Sequence, residues 1–166
     1  MKVYIASMFS DKDRVKQRAE CLAALGIVCT SRWAWEAVPH NVAMKDCKDE
    51  YLRETAAIDL DDILSADKLI LTVPEPSLLV DATVAASSRG GRHFESGFFY
   101  GLMLSTRTKR ELIILGKPEN VFHMLDGIGA ASRYPTIKHF GTWDDVVKYL
   151  VDDAVKYLVE EKCQRQ

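Results

Sequence analysis

Apolar positions along this chain come in two alternating rhythms. Val3-Tyr4-Ile5-Ala6 is a short unbroken apolar run closed by Ser7, Ser10 and Asp11, and Val15, Ala19, Leu22, Ala23 and Leu25 then recur at helical spacing as far as Gly26. The reading is strand, loop, helix, stop. Ile27-Val28-Cys29-Thr30 makes a second strand, followed by an aromatic loop with Trp33 and Trp35 and a long polar helix from about Met44 to Ser65. Lys68-Leu69-Ile70-Leu71-Thr72-Val73 reads as a buried strand ended by Pro74 and Pro76, and residues 74–92 as a loop rich in Ser, Pro and Gly. The pattern then predicts a helix from about Arg92 to Ser105 and a strand at Leu112-Ile113-Ile114-Leu115. A short helix near 119–126, a strand at Thr136–Phe140 and a final helix from about Trp143 to Glu161 complete it. Five short strands alternating with helices imply a doubly wound parallel sheet covered on both faces, an α/β fold. No repeat or low-complexity linker interrupts it, so residues 1–166 are expected to form one domain.

Composition narrows the function without naming it. The chain has 166 residues, 48% of them hydrophobic, enough for one sizeable core. Its 22 Lys+Arg against 24 Asp+Glu are scattered and leave a net charge of −2, which offers no footprint for a nucleic-acid backbone. A small-molecule substrate fits better. Cys21, Cys29, Cys47 and Cys163 show no CxxC spacing and no His at ligand distance, which argues against a zinc site or a disulfide framework and for a reducing cytoplasm. The opening MKVYIASMFSDKDR reaches charge too soon for a targeting segment, and no run approaches the roughly 18 apolar residues of a membrane span.

In a doubly wound sheet ligands bind beyond the carboxyl ends of the strands, so the loops that matter are 7–11, 30–43, 74–92 and 115–120. The chain contains no GxGxxG after its first strand and no GxxxxGK[ST], which removes dinucleotides and nucleoside triphosphates. Ala-Ser-Met-Phe stands after the first strand where a receiver domain needs acids for Mg²⁺. The unusual stretch is GGRHFESGFFYG, residues 90–101. With Gly90-Gly91 as a turn and the helix starting near Arg92, Glu95 falls in the first helical turn, where dipole and free N–H groups favour its ionised form. An acid at a solvated helix start is common. This one has Phe94, Phe98 and Phe99 around it and Gly97 and Gly101 on the same helix, which suits close approach by a ligand or backbone.

With those residues in place, the sequence resembles the nucleoside 2-deoxyribosyltransferase family and its nucleotide N-glycosidase relatives. Four places carry the resemblance over most of the chain: Val3-Tyr4-Ile5-Ala6 with Phe9; Asp59-Leu60 with Ile63 and then Ala66-Asp67; Gly91 with Glu95-x-Gly97; and Asn120, 25 residues beyond Glu95. The resemblance implies a single-domain flavodoxin-like fold that uses no cofactor or metal. It assigns Glu95 as nucleophile, Tyr4 as its contact and Asp59 as the second catalytic acid. Asn120 would be lent to the site by a neighbouring subunit of a homodimer or larger homo-oligomer. The chain departs from the pattern at Arg89, where transferases commonly carry an Asp near the sugar. Nucleotide-hydrolysing relatives hold a 5′-phosphate with Ser and Arg residues, for which this chain offers Ser7, Ser10, Ser87, Ser88, Arg89 and Arg92.

Chemistry explains why such a set is needed. Breaking an N-glycosidic bond builds positive charge at C1′, which a neighbouring carboxylate stabilises and captures as an ester. Tyr4 either orients that carboxylate or is an ordinary buried strand aromatic. Asp59 either handles protons on the base or shares a solvated helix face with Asp61 and Asp62; Ile58, Leu60 and Ile63 bracket it in a buried pattern, and the motif register selects it. Asp67 is expected to orient the start of its strand. Trp33 and Trp35 either stack on a base or pack on the sheet rim. Ser7, Phe9, Gly91, Arg92 and Asn120 complete the expected substrate contacts. His93 is at most a neighbour of the site, and His40, His123 and His139 have no evident partners. The expected activity is transfer of 2-deoxyribose between bases in nucleoside salvage. The alternatives are hydrolysis of a nucleoside 5′-monophosphate, or a module that binds without turnover. The free nucleoside is favoured because Ser7-Met8-Phe9-Ser10 offers hydroxyls and an aromatic ring and no cation.

Overall fold

Five parallel strands form one sheet in the order β2-β1-β3-β4-β5. They are β1 (Lys2–Ala6), β2 (Val28–Cys29), β3 (Lys68–Thr72), β4 (Glu111–Leu115) and β5 (Ile137–Phe140). The computed structural model describes residues 1–36, 47–74, 89–106, 109–119, 121–124, 135 and 137–164. Four α-helices accompany the sheet: α1 (Lys12–Ala24), α2 (Asp49–Ser65), α3 (Arg89–Ser105) and α4 (Trp143–Gln164). The expected α/β architecture is the observed one. The part of the second helix expected before residue 47 and most of the loop 74–92 lie outside the described residues, as does much of the stretch expected to be a short helix at 119–126, where a 3-10 turn spans Val121–Met124.

The central strand shows why the sheet holds. All five residues of β3 are buried, as expected of a parallel strand covered on both faces. Leu69, Ile70 and Leu71 are fully buried against Val3, Tyr4 and Ile5 of β1 and Ile113 and Ile114 of β4. Each such aliphatic side chain contributes about 1.5–3 kcal/mol by leaving water. The start of β3 is tied to β1 by Asp67, whose Oδ2 accepts the Lys2 N–H at 2.7 Å, so Asp67 does orient its strand. The β2 strand is shorter than the pattern suggests. Ile27 is buried while Val28 is 55% exposed, because β2 is an edge strand with only one neighbour.

The two faces of the sheet are distinguished by strand alternation. Tyr4 pairs with Leu69 and Val3 with Lys68, and adjacent residues on a strand point to opposite faces. Tyr4 reaches α3, which packs beside α2. Lys68, buried on the other face, pairs with Glu111 and with Asp153 of α4. Arg18 of α1 lies over the Trp143 ring at the start of α4, 4.8 Å from its centroid, which puts α1 and α4 in one layer. So α2 and α3 cover one face, and α1 and α4 the other.

Candidate active site

Three expected residues converge on the α2–α3 face. Tyr4 is fully buried on β1, and its hydroxyl donates to Glu95 Oε1 at 3.1 Å across 91 residues of sequence. Burial is the main cause that raises the Tyr4 phenol, helped by the charges of Glu95 and Asp59, so it stays a proton donor. The Tyr4 ring is therefore buried and its hydroxyl is satisfied by Glu95.

The placement of Glu95 on its helix corrects the sequence reading. The α3 helix begins at Arg89 rather than near Arg92, so Gly90 and Gly91 are helical and Glu95 lies in the second turn. A Cβ on Gly91 would meet nothing within 4 Å among the described residues, and its helical backbone places no tight turn there. The dipole effect fades after the first turn and no longer decides the charge of Glu95. Burial does: it pushes the carboxyl up to about 7, with the Asp59 charge as second cause and the Tyr4 hydrogen bond pulling the other way. The group is therefore poised between acid and carboxylate near neutrality.

Asp59 is matched to it. Burial raises its carboxyl to about 7, helped by the charges of Glu36 and Asp62 and opposed by Arg32. Its Oδ1 is buried without a hydrogen-bond partner among the described residues. The adjacent acids take other roles. Asp62 accepts the Arg32 Nε–H at 2.7 Å and the Arg32 backbone N–H at 3.0 Å, which anchors the loop after β2. Asp61 is exposed to solvent. One part of the expected bracket differs: Ile58 is 38% exposed, because the core side of α2 runs through Ile63.

The first loop is braced from within. Ser7 Oγ accepts from Thr72 Oγ1 at 2.5 Å and donates to Asp11 Oδ2 at 3.1 Å. Phe9 packs 6.3 Å from Trp33 and under the Lys12 ammonium, 5.1 Å from the ring centroid. Trp33 is 6% exposed and its indole N–H donates to Ile5 O at 3.1 Å, so it is core packing rather than a surface for a base. Trp35 is 51% exposed. Phe94 is 63% exposed and stacked on Phe98, while Phe99 is wholly buried.

The arginine beside the glycine pair does not face solvent. Arg92 is 1% exposed, and its Nη2 donates to both carboxylate oxygens of Glu119 at 2.9 Å. Glu119 also lies 3.4 Å from His93 Nε2, and its backbone N–H donates to His123 Nδ1 at 3.1 Å. The His93 and His123 rings are 5.7 Å apart. His123 thus has partners that the sequence reading did not foresee, because the segment after β4 folds back onto the first turns of α3. Gly91 is exposed at that end of α3. Asn120 and the side chain of Arg89 lie outside the described residues, and with them any direct view of the Asp-to-Arg departure.

Glu36, Arg32 and Glu119 shape this site and were not anticipated. Glu36 follows the aromatic loop and accepts a hydrogen bond from Tyr51 at 3.0 Å. Its sequence signal is a lone acid, which nothing marks.

No protein-family model matches the chain, and no curated protein matches it by sequence. Solved structures do match. A 2-deoxyribosyltransferase from Bacillus psychrosaccharolyticus is 20% identical, with 88% of this chain and 90% of that chain covered and a TM-score of 0.54. A CMP N-glycosidase from Clostridium botulinum is 16% identical over 90% of this chain and 98% of that one, with a TM-score of 0.49. A conserved protein from Enterococcus faecalis V583 is 15% identical over 89% and 95%, also with a TM-score of 0.49. The chain thus has a flavodoxin-like α/β fold, the one seen in the 2-deoxyribosyltransferase structure.

Proposed function

We propose that this protein is an enzyme of nucleoside N-glycosidic bonds, and specifically a nucleoside 2-deoxyribosyltransferase. The observation that carries the reading is the two part-buried carboxyls Glu95 and Asp59, each raised to about 7, with the Tyr4 phenol on Glu95. Two carboxyls raised into the neutral range supply one carboxylate and one acid at the same pH. Glu95, as carboxylate, attacks C1′. The C1′–N bond breaks, its electron pair leaves with the base, and Asp59 gives that base a proton. An acceptor base then attacks C1′, the Glu95 ester bond breaks, and Asp59 takes the acceptor's proton. Water in place of the base gives hydrolysis. Tyr4 holds Glu95 in position through its hydrogen bond.

The substrates are a 2′-deoxynucleoside and a free nucleobase. The commitment of Arg92 to Glu119 supports an unphosphorylated substrate, because that guanidinium is turned inward instead of towards a 5′-phosphate. Incubation with a 2′-deoxynucleoside and a second base, followed by chromatography and NMR, tests the reading. The expected product is the exchanged β-nucleoside, since two inversions retain configuration. Free 2-deoxyribose alone assigns hydrolysis, a strong preference for the 5′-monophosphate assigns the nucleotide branch, and no new product at all leaves only binding.

A homo-oligomer belongs to the same proposal. Phe94, Gly97, Gly101 and Leu104 share one side of α3, with Phe94 63% and Leu104 50% exposed, and a Cβ on either glycine would meet nothing within 4 Å among the described residues. Such a face suits a second copy, which would bring Asn120 to its neighbour's site. Leu104→Arg is expected to reduce the mass measured by light scattering to that of the monomer and to lower activity with it. A wild-type protein already monomeric and fully active contradicts the assembly.

A further inference from the structure

The loop after β2 is fastened along α2 at two places, and Asp59 lies between them. At one end Thr30 Oγ1 donates to Asp62 O at 3.1 Å, and Arg32 donates to the Asp62 carboxylate from its backbone N–H at 3.0 Å and its Nε–H at 2.7 Å. The chain then makes a 3-10 turn over Arg32–Trp35, inside which the Trp33 indole is turned onto Ile5 O. At the other end Glu36 Oε2 accepts the Tyr51 hydroxyl at 3.0 Å, and Glu36 O accepts the Lys12 ammonium. Tyr51, Thr55, Asp59 and Asp62 recur at helical spacing, which puts them on one side of α2. All four are at least partly buried, whereas Arg53, Glu54, Ala56, Ala57 and Ile58 are exposed.

The fastened loop brings two opposite charges to Asp59. Glu36 is half-buried and held by Tyr51, and Arg32, its side chain 60% exposed, is held by Asp62. Asp59 has a buried Oδ1 that meets no donor among the described residues. A carboxyl without hydrogen bonds titrates where burial and neighbouring charges put it. Burial is the largest cause here and Glu36 the next, ahead of Asp62, with Arg32 acting in the opposite direction. The other groups facing Asp59 among the described residues are Glu95 of α3 and Tyr4 of β1.

We propose that Glu36 and Arg32 are positioning residues for the reaction, two loop side chains of opposite charge that decide whether Asp59 meets the leaving base as acid or as carboxylate. The inference rests on the role of Asp59 proposed above and adds the groups that control it. Glu36 keeps the proton on Asp59, and Arg32 keeps that hold weak enough for the proton to be given up. Neither residue needs to touch the substrate. A general acid works best when its proton affinity lies near the working pH, so opposing charges on one loop give a finer setting than burial alone.

Carbon-13 NMR of the Asp59 carboxyl in the full chain tests this without turnover, the resonance being assigned by its absence in Asp59→Asn. Glu36→Gln keeps an amide oxygen for the Tyr51 hydroxyl and removes the charge, so the Asp59 titration should move to lower pH by about half a unit or more. Arg32→Gln should move it to higher pH. The alkaline limb of kcat/KM, which reports protonated Asp59, should follow in each direction. Glu20→Gln, the same change of charge at an exposed position on α1, should leave both unmoved. Glu36→Gln decides alone where Arg32→Gln folds poorly through loss of the Asp62 partner. An Asp59 titration that stays in place in either folded variant, or that moves the same way in both, overturns the inference. The expected shifts in a protein that exchanges no bases uphold the control of Asp59 and contradict only the reaction.

Discussion

Glu95→Gln is expected to lose at least about 10⁴-fold in kcat/KM while becoming more stable than wild type at pH 8. The first effect follows from loss of the nucleophile. The second follows from the raised carboxyl. Its folded value is about 7 against an ordinary value of 4.5, so between those values the folded protein binds more protons than the unfolded chain. Stability attached to this group is therefore present below about pH 4.5 and lost as pH rises through about 7. Glutamine carries no such penalty and still accepts the Tyr4 hydroxyl. Urea unfolding should show the variant ahead by about 1–3 kcal/mol at pH 8 and level with wild type at pH 4. A variant that is inactive and equally destabilised at both pH values would mark Glu95 as a packing residue.

The second large effect belongs to Asp59. Wild-type kcat/KM should follow a bell with limbs on either side of about pH 7, because the form with Glu95 ionised and Asp59 protonated is the active one. Asp59→Asn should reduce kcat/KM by about 10²–10⁴-fold, the ordinary range for a general acid. It should also move the acid limb to lower pH, since the Asp59 charge no longer raises Glu95, and abolish the alkaline limb. An unshifted bell in that variant would remove Asp59 from proton transfer. The same loss from Asp61→Asn, a solvated residue, would show that the register on α2 had been misread.

These effects were partly legible in the sequence for a physical reason. The buried apolar runs of β1, β3 and β4 alternate with helical spacing strongly enough to define the sheet, and Tyr4, Asp59 and Glu95 sit at motif positions on those elements. Their electrostatics were not legible. Gly90-Gly91 looks like a turn, yet the helix runs through it to Arg89, which takes Glu95 out of the first turn and leaves burial to set its charge. Whether glycine caps or continues a helix depends on what packs around it, and that is tertiary information. Trp33 shows the same limit: an indole in a loop looks available to a base, and only the fold turns its N–H onto Ile5 O. The Glu119 cluster with Arg92, His93 and His123 joins segments some 27 residues apart that no local spacing connects. Arg18 and Trp143 meet across two helices for the same reason, and neither carries a motif.

Covalent capture of the sugar by Glu95 is the point on which the reading stands. Wild-type protein mixed with a 2′-deoxynucleoside, quenched in acid within its first turnovers and digested, should yield a peptide spanning Glu95 heavier by one deoxyribosyl group, and Glu95→Gln should yield none. A deoxyribosyl group found on Asp59 instead, or efficient base exchange with no adduct on any carboxylate, would contradict the mechanism.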